Sequence, residues 1–327
     1  MSEQKIGIVV IGKNEGLRLI KCLESASTLN LPLIYVDSGS TDSSVENASN
    51  YTKDIIKLSM EGHFSASRAR NEGLSYLVRK LPSIEFVQFV DGDCVLSRDW
   101  IDISIEKMNL SSSYAVVCGR RKELFPEKSL YNKLCDIEWD VTAGEVLACG
   151  GDFLCRVTAF EQVKGFNVSF IAGEEPELCF RLRQHAWKIL RTTDLMTFHD
   201  SNILCLSKYL VKIRRTGYAY CLGFLEHGMS AEHYNMREVL RIIFWGFLLP
   251  IAFLFYVLIG SWNSNLVIVI FLAQFMRVYQ KVKNYAFLTR FVYAAITVFG
   301  KTVECMGLFQ CLLRKITRSQ NSLIEYK

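Results

Sequence analysis

Two acidic residues separated by a glycine, Asp91-Gly92-Asp93, follow the apolar run Phe89-Val90. Carboxylates one residue apart at the end of a strand can bind a divalent cation, and the missing side chain at Gly92 leaves room for a ligand. Mg²⁺ or Mn²⁺ prefers such oxygen ligands and usually keeps phosphate oxygens and water in the rest of its shell. Because Asp-x-Asp also occurs in ordinary turns, its meaning depends on the groups that the fold places beside it.

Two further polar clusters have the composition of a nucleotide-binding site. The segment Asp37-Ser38-Gly39-Ser40-Thr41-Asp42 offers a carboxylate for a base N–H and small residues that let a ligand approach the backbone. The alternative is a strand-to-helix turn in which Ser40 or Asp42 caps the helix. Arg68-Ala69-Arg70-Asn71 opens a helix and suits phosphate recognition by guanidinium groups, although a solvated helix face has the same composition.

The first hundred residues alternate between β-branched apolar runs and stretches with helical spacing. We predict strands at residues 6–11, 33–36, 55–58 and 86–90. Among the helices between them, one spans residues 65–81 and another buries Leu17, Ile20, Leu23 and Ala26. This order indicates an α/β fold with a mostly parallel sheet and helices on both faces. Ligands bind beyond the carboxyl ends of such strands, where Lys13-Asn14-Glu15 and both acidic clusters fall.

In this order and spacing, five segments resemble glycosyltransferase family 2. They are Val-Val-Ile-Gly-Lys-Asn-Glu, Val-Asp-Ser-Gly-Ser-Thr-Asp, Ala-Arg-Asn-Glu-Gly, Val-Asp-Gly-Asp and Gly-Glu-Glu-Pro-Glu-Leu-Cys-Phe-Arg-Leu, within residues 6–199. The resemblance implies a GT-A fold, which is a Rossmann-like, mostly parallel sheet with flanking helices. It also implies an inverting transferase that uses a nucleotide-diphosphate-sugar donor and a divalent metal, Mg²⁺ or Mn²⁺.

The resemblance also implies roles for residues around the donor. Asn14, Glu15 and Asp37 would surround the nucleoside, and Arg70 would lie near the diphosphate. Asp152, in a glycine-rich stretch, would lie near the donor sugar and the acceptor. The complete set of expected donor contacts is Gly12, Asn14, Glu15, Asp37, Ser38, Gly39, Arg70, Asn71, Asp91, Gly92, Gly151, Asp152 and Arg215.

The expected metal ligands are Asp93, Asp91 and His199. By the resemblance, Asp93 is the direct ligand, and Asp91 contacts the ribose or the metal. His199 follows a predicted short strand at residues 196–198. It resembles the late histidine that some GT-A enzymes place on the metal or the diphosphate, although a lone histidine at a strand end is more often structural.

The segment Glu174-Glu175-Pro176-Glu177 is the candidate for the catalytic base. Pro176 suits the first turn of a helix, so Glu175 falls at or beside the N-cap. The positive end of the helix dipole favours an ionised carboxylate there, which can take a proton from an acceptor hydroxyl. The family usually has Glu-Asp at this position, with the Asp as base, whereas this chain has Glu-Glu. Glu174 and Glu177 therefore stay as alternatives.

Arg215 lies in a basic segment that could cover the diphosphate. Processive members of the family carry Gln-x-x-Arg-Trp near this position, and this chain does not. The difference favours single sugar additions over polymer synthesis.

The C-terminal third of the sequence is strongly apolar. Residues 242–260 contain no charge and are about long enough to cross a bilayer, and a polar break at 261–265 precedes a second apolar run. We predict a membrane hairpin at about residues 242–280 with both ends in the cytosol. A further helix at about residues 286–313 is interrupted by charges, so we expect it to lie on the membrane. The alternative is a buried soluble subdomain or a dimer interface.

These patterns predict a cytoplasmic GT-A catalytic domain over residues 1–235 and a membrane-associated helical region over 236–327. The acceptor would be presented at the membrane, as a lipid-linked sugar or a surface glycan. A net charge of +5 argues against nucleic-acid binding, and 11 scattered cysteines do not resemble a zinc site or a disulfide framework. The N-terminus is not typical of a secretory signal. Competing hypotheses are a sugar nucleotidyltransferase, although Gly12-Lys13-Asn14-Glu15 is poor in glycine, and a degenerate membrane scaffold.

Overall fold

The computed structural model describes residues 5–59, 65–259 and 264–317. The chain divides into two compact units. The first comprises Met1–Pro126 and Cys135–Asn202, and the second comprises Glu127–Leu134 and Ile203–Lys327.

The first unit is built on a mixed sheet that has nine strands in the described part of the chain. Its strands are β1 (Ile6–Gly12), β2 (Leu33–Asp37), β3 (Asp54–Lys57), β4 (Phe86–Asp91), β5 (Cys94–Leu96), β6 (Tyr114–Glu123), β7 (Gly144–Val146), β8 (Phe153–Arg156) and β9 (Lys188–His199). The strand order is β3-β2-β1-β4-β8-β6-β9-β5, and β7 pairs with β9. The four predicted strands form one side of this sheet.

Helices accompany the strands of the first unit. They are α1 (Leu17–Ser27), α2 (Ser44–Ala48), α3 (Ala66–Lys80), α4 (Trp100–Asn109), α5 (Leu130–Trp139, divided between the units), α6 (Val157–Gln162) and α7 (Glu174–Gln184). Helix α1 buries Leu19, Cys22, Leu23 and Ala26, whereas Leu17 is 77% exposed. The prediction that Leu17 faces inward was wrong, because two residues of helix separate it from Leu19 by about 200°.

Parallel pairing fixes which residues share an edge of the sheet. Strand β1 lies between β2 and β4, and both pairs are parallel. The register places Gly12 beside Asp37 and Ile11 beside Asp91. The carboxyl ends of three strands therefore meet at one edge, as predicted.

The other side of the sheet depends on long-range antiparallel pairing. Strand β8 is antiparallel to β4 and to β6, and β9 is parallel to β6. The carboxyl end of β6 therefore points to the same edge as that of β4. His199 ends a strand of 12 residues, rather than the short strand that we predicted.

The second unit is helical. Its helices are α8 (Leu206–His227), α9 (Met236–Ile243), a π-helical turn (Phe244–Leu248), α10 (Leu249–Ile259), α11 (Ser264–Lys281) and α12 (Phe287–Thr317). Helices occupy residues 242–259 and 264–280 of the predicted hairpin, and residues 260–263 lie outside the described residues. The insertion of this hairpin in a membrane stays a prediction. Two stretches, Met236–Phe255 and Phe287–Thr317, are long and apolar enough to cross a membrane. Helix α12 also buries a face within the unit that includes Ala294, Val298 and Leu308.

Candidate functional site

The loop after β2 is held in place by its own acidic residue. Asp37 is buried, and its Oδ2 accepts hydrogen bonds from the backbone N–H groups of Gly39 at 3.0 Å and Ser40 at 2.9 Å. Its Oδ1 accepts a bond from the Tyr35 hydroxyl at 3.1 Å. The Ser38 N–H donates to the Gly12 carbonyl at 2.9 Å, which ties this loop to the end of β1. Asp37 therefore shapes the predicted nucleoside pocket.

Asn14 braces the same loop from the neighbouring strand end. Its Oδ1 accepts hydrogen bonds from the N–H groups of Thr41 at 2.7 Å and Asp42 at 3.3 Å, and its own N–H donates to Ser40 Oγ at 2.9 Å. Glu15 forms an ion pair of 2.6 Å with Arg18. The site thus brings Asn14 and Asp37 onto one loop, where both act on its backbone.

Arg70 is the centre of the site. This guanidinium is 1% exposed, and its Nη2 donates to Asp91 Oδ1 at 2.7 Å. Its Nη1 lies 3.1 Å from Glu175 Oε1 and 3.8 Å from Glu174 Oε1. Burial alone would lower the pKa of Arg70, but the carboxylates of Asp91, Glu175 and Glu174 raise it above its ordinary value. One buried cation therefore joins the end of β4 at Asp91 to the start of α7.

Gly151 makes this arrangement sterically feasible. A Cβ at Gly151 would lie 2.3 Å from Asp91 Oδ2 and 2.8 Å from Arg70 Nη2. Its carbonyl also accepts a hydrogen bond from Arg70 Nη2 at 3.4 Å. The sequence placed Gly151 near the donor, and its local function is to leave space for the Arg70–Asp91 pair.

The three acidic side chains at the start of α7 have different environments. Glu175 is half-buried, and burial, with the adjacent charge of Glu174, raises its pKa to about 7 despite the opposing effect of Arg70. Glu177 is fully buried and forms a bidentate pair with Arg181, with both N–O distances at 2.8 Å. The Glu177 carboxylate is therefore paired within α7. The carboxylates of Glu175 and Glu174 are the ones beside Arg70.

The side chains of Asp93 and His199 are in direct contact. His199 Nε2 is 3.0 Å from Asp93 Oδ2, and the imidazole stacks on Trp139 with 4.8 Å between ring centroids. Burial and the charge of Arg121 lower the pKa of His199 to about 4, so the imidazole is neutral and can act as a ligand. Ligand atoms of Asp93, Cys94 and His199 all lie within 4.8 Å of one another.

The donor set fits a hard divalent cation through its oxygen and imidazole ligands. Asp91, Cys94 and Asp152 form a second group whose ligand atoms lie within 4.8 Å of one another. Burial raises the pKa of the Cys94 thiol well above its ordinary value, so it stays protonated and is a poor ligand. Carboxylate oxygens suit Mg²⁺ and Mn²⁺.

The part of the chain that contains strands β1 to β7 matches a known family. Residues 7–145 match the family model of Glycosyl transferase family 2. The chain carries a glycosyltransferase family 2 domain. The predictions of this family, of a glycosyltransferase and of a GT-A fold are confirmed.

Among solved structures, this glycosyltransferase is similar to the mannosyltransferase PcManGT from Pyrobaculum calidifontis in complex with GDP-Man and Mn²⁺. The TM-score is 0.65 at 14% identity, covering 95% of this chain and 88% of that one, and it shows a shared fold. Glucosyl-3-phosphoglycerate synthase from Mycobacterium tuberculosis, in complex with Mn²⁺ and uridine-diphosphate-glucose, gives a TM-score of 0.46 at 13% identity, covering 66% and 77% of the two chains. No curated protein sequence matches the chain significantly.

Sequence reasoning missed Arg121, which the structure places in the candidate site. Arg121 Nη2 lies 2.8 Å from Asp152 Oδ2 and 3.9 Å from Asp91 Oδ2, and its guanidinium lies over the Trp139 ring. Asp152 is fully buried and also accepts bonds from the Asp91 N–H at 2.9 Å and the Thr197 hydroxyl at 2.8 Å. The sequence pattern that could have identified Arg121 is a basic residue near the end of the apolar strand β6.

Two further predicted donor contacts, Asn71 and Arg215, have the following surroundings. Asn71 pairs with the backbone of Phe166, donating to its carbonyl at 2.9 Å and accepting from its N–H at 2.8 Å. Phe166 in turn lies 5.3 Å below the Arg70 guanidinium. Arg215 lies on α8 in the second unit, and its role at the diphosphate stays a prediction.

Proposed function

We propose that this glycosyltransferase moves one sugar from a nucleotide-diphosphate-sugar donor to an acceptor presented at a membrane, with inversion at the anomeric carbon. The observation that carries the proposal is the buried Arg70, which contacts Asp91 and Glu175. A donor diphosphate beside Arg70 would lie between a metal-binding loop and a candidate base. Those are the groups that sugar transfer requires on opposite sides of the anomeric carbon.

The proposed donor site follows the carboxyl edge of the sheet. The loop shaped by Asp37 and Asn14, with Gly12, Glu15, Ser38 and Gly39, would receive the nucleoside. Arg70, Gly92, Gly151 and Asp152 would lie along the diphosphate and the sugar. Asn71 would act through Phe166, because its amide is already paired there.

Asp93, Asp91 and His199 are the proposed ligands of Mg²⁺ or Mn²⁺. The mannosyltransferase with the shared fold was solved with Mn²⁺ and GDP-Man, which supports a metal of this class. When bound, such a cation neutralises charge that develops on the leaving diphosphate. Arg121 keeps the buried carboxylate of Asp152 compensated at 2.8 Å, so that a cation is not drawn to Asp152 instead.

Glu175 is the proposed base. The acceptor hydroxyl gives its proton to the Glu175 carboxylate while its oxygen bonds to the anomeric carbon. The bond from that carbon to the diphosphate breaks, and its electron pair leaves with the nucleoside diphosphate. A pKa of about 7 suits this role, since a base works best when its pKa lies near the working pH. Arg70 orients the carboxylate from 3.1 Å.

The proposed acceptor is a lipid-linked sugar or a growing surface glycan, reached by a catalytic domain on the cytoplasmic side. Two stretches of the second unit are apolar enough to cross a membrane, and side chains such as Leu254, Leu258 and Leu272 are more than half exposed. Apolar surface of this extent favours contact with lipid. Division into a catalytic domain over 1–235 and a membrane-associated region over 236–327 is part of the same proposal. The missing Gln-x-x-Arg-Trp segment supports single additions.

The test measures nucleoside diphosphate release from a panel of nucleotide sugars with Mn²⁺, using the purified full chain. We expect Glu175→Gln to bind nucleoside diphosphate normally and to lose about a hundredfold or more in turnover. We expect Asp93→Ala to lose the Mn²⁺-dependent rise in thermal stability that the nucleotide produces. Glu72→Gln, an exposed acid on α3, is the matched control.

Three results would contradict the proposal. Undiminished turnover in Glu175→Gln would exclude that residue as the base. Formation of a nucleotide sugar from a sugar phosphate and a nucleoside triphosphate would indicate a nucleotidyltransferase. Failure of the unaltered protein to bind any nucleoside diphosphate with Mn²⁺ would indicate a scaffold without catalysis.

A further inference from the structure

The second unit contains a cavity outside the site described above. Its volume is about 140 Å³, and its lining consists of Arg241, Trp245, Gln274, Thr297, Val298 and Lys301. These residues come from α9, the π-helical turn, α11 and α12. Sites that enclose a whole small molecule usually measure roughly 300–1,000 Å³. This cavity is therefore large enough for the head of a ligand whose remainder lies outside.

The cavity carries one uncompensated positive charge. Lys301 Nζ lies 2.6 Å from Glu304 Oε1, so its charge is neutralised within α12. Arg241 is exposed and has no ion-pair partner among the residues that the structure describes. Both cations lie within the two stretches that could cross a membrane.

The backbone beside the cavity is irregular. Residues Phe244–Leu248 form a π-helical turn, a rare conformation that occurs frequently at functional sites. A Cβ at Gly246, within this turn, would lie 2.1 Å from the Lys301 carbonyl oxygen. The glycine thus allows the turn to press against α12, and Trp245 stands in the cavity wall next to it. The indole N–H, the Gln274 amide and the Thr297 hydroxyl supply hydrogen-bonding groups in otherwise apolar helices.

Apolar side chains lie next to two of the lining residues, one helical turn along the chain. Phe244, three residues after Arg241, is 44% exposed, and Leu248, three residues after Trp245, is 52% exposed. A ligand with its polar head in the cavity would have its apolar part beside these residues. The lining and its surroundings therefore match an amphiphile with a single negative charge.

We propose that this cavity binds the head group of an acidic membrane phospholipid such as phosphatidylglycerol. Its phosphodiester carries one negative charge, which Arg241 compensates, and its head-group hydroxyls meet Gln274 and Thr297. A polyprenyl monophosphate is a phosphomonoester with a charge of roughly −1.5 to −2, for which a single free cation is too little. The site lies outside the catalytic machinery, and it rests on the membrane association in the proposed function.

Native mass spectrometry of the full chain in a non-ionic detergent tests the proposal. Phosphatidylglycerol, phosphatidylcholine and a polyprenyl phosphate are added in separate titrations. We expect one phosphatidylglycerol to bind about tenfold more tightly than phosphatidylcholine. Arg241→Gln should weaken phosphatidylglycerol binding about tenfold, the usual effect of losing one charge-assisted contact.

Arg237→Gln is the matched control, because Arg237 is exposed one turn earlier on α9 and does not line the cavity. It removes the same charge and should leave lipid affinity within about twofold. Gln274→Leu keeps the apolar character of α11, so it provides a second test that does not depend on the folding of Arg241→Gln. We expect it to weaken phosphatidylglycerol binding while phosphatidylcholine binding stays unchanged.

Equal binding of phosphatidylglycerol and phosphatidylcholine would overturn the proposal, and so would equal affinities in Arg241→Gln and Arg237→Gln. Tighter binding of the polyprenyl phosphate would also overturn it, since that result would identify an acceptor site. Nucleoside diphosphate binding with Mn²⁺ is measured on the same samples. Its loss with lipid binding retained would refute the proposed function alone, and the reverse result would refute the lipid site alone.

Discussion

Replacement of Gly151 by alanine tests whether the Arg70–Asp91 pair organises the site. The new Cβ would lie 2.3 Å from Asp91 Oδ2, so reaching an ordinary contact of 3.4 Å requires a movement of about 1.1 Å. Asp91 is held by Arg70 at 2.7 Å, and Arg70 is buried, so neither side chain can move without loss of the ion pair. Overpacking of this kind typically costs about 1–3 kcal/mol.

The effect on turnover should exceed the effect on stability. A displacement of about 1 Å in a catalytic group can cost about a hundredfold in rate. We therefore expect Gly151→Ala to lose about a hundredfold in kcat/KM and about 1–3 kcal/mol in the free energy of unfolding. Turnover is measured by nucleoside diphosphate release, and stability by denaturant unfolding.

Gly150→Ala is the control for this substitution. A Cβ at Gly150 would lie 3.6 Å from its nearest neighbour, Arg121 Nη2, which is an ordinary contact. The change in unfolded-chain entropy, worth about 0.4–1 kcal/mol, is common to both variants and cancels in the comparison. If Gly151→Ala matches Gly150→Ala in turnover and in stability, the close packing around Asp91 does not control the site.

Three further changes follow from the same contacts. Because Glu175 must be ionised to act as the proposed base, kcat/KM should rise as the pH increases through about 7. This rise should be absent in Glu175→Gln, and a pH profile that is unchanged in the variant excludes the assignment. Arg121→Gln leaves the fully buried Asp152 without its cation and should lower the free energy of unfolding by about 3 kcal/mol, against about 1 kcal/mol or less for the exposed pair lost in Lys5→Gln. Asn71→Asp places a carboxylate against a carbonyl and should cost about 1–3 kcal/mol in denaturant unfolding, whereas an unaltered stability would show that this amide holds nothing in place.

The parallel side of the fold could be predicted because its signals are local. Each of the strands β1 to β4 is a short apolar run followed by polar or small residues, and strand-then-helix order fixes the direction of the sheet. The positions of Asp37 and Asp91 at one edge follow from that order alone. The spacing of apolar residues predicts the buried face of a helix less well at its first residue, as the exposed Leu17 of α1 illustrates.

The other side of the sheet could not be predicted in this way. Strand β8 pairs with β4 across more than sixty residues, and β9 pairs with β5 across about a hundred, so nothing local to either strand indicates its partner. The contact between Asp93 and His199 depends on the second of these pairings, which sets Cys94 opposite His199. Arg121 reaches Asp152 for the same reason, because β6 and β8 are neighbours.

The type of a polar residue does not reveal which groups its side chain will contact. Asn14, Asp37 and Asn71 are polar and lie at the site, yet each is engaged with nearby backbone groups. A buried polar group that left those backbone groups unpaired would be costly, so these side chains are first needed to fix the loops. The charged side chains that the structure brings together are those that converge on Arg70. Glu175 is one methylene longer than the aspartate usual in the family, and at 3.1 Å it reaches the same guanidinium that holds Asp91. The Glu-Glu variation is therefore compatible with Glu175 as the proposed base, because the longer side chain pairs with the same arginine that holds Asp91.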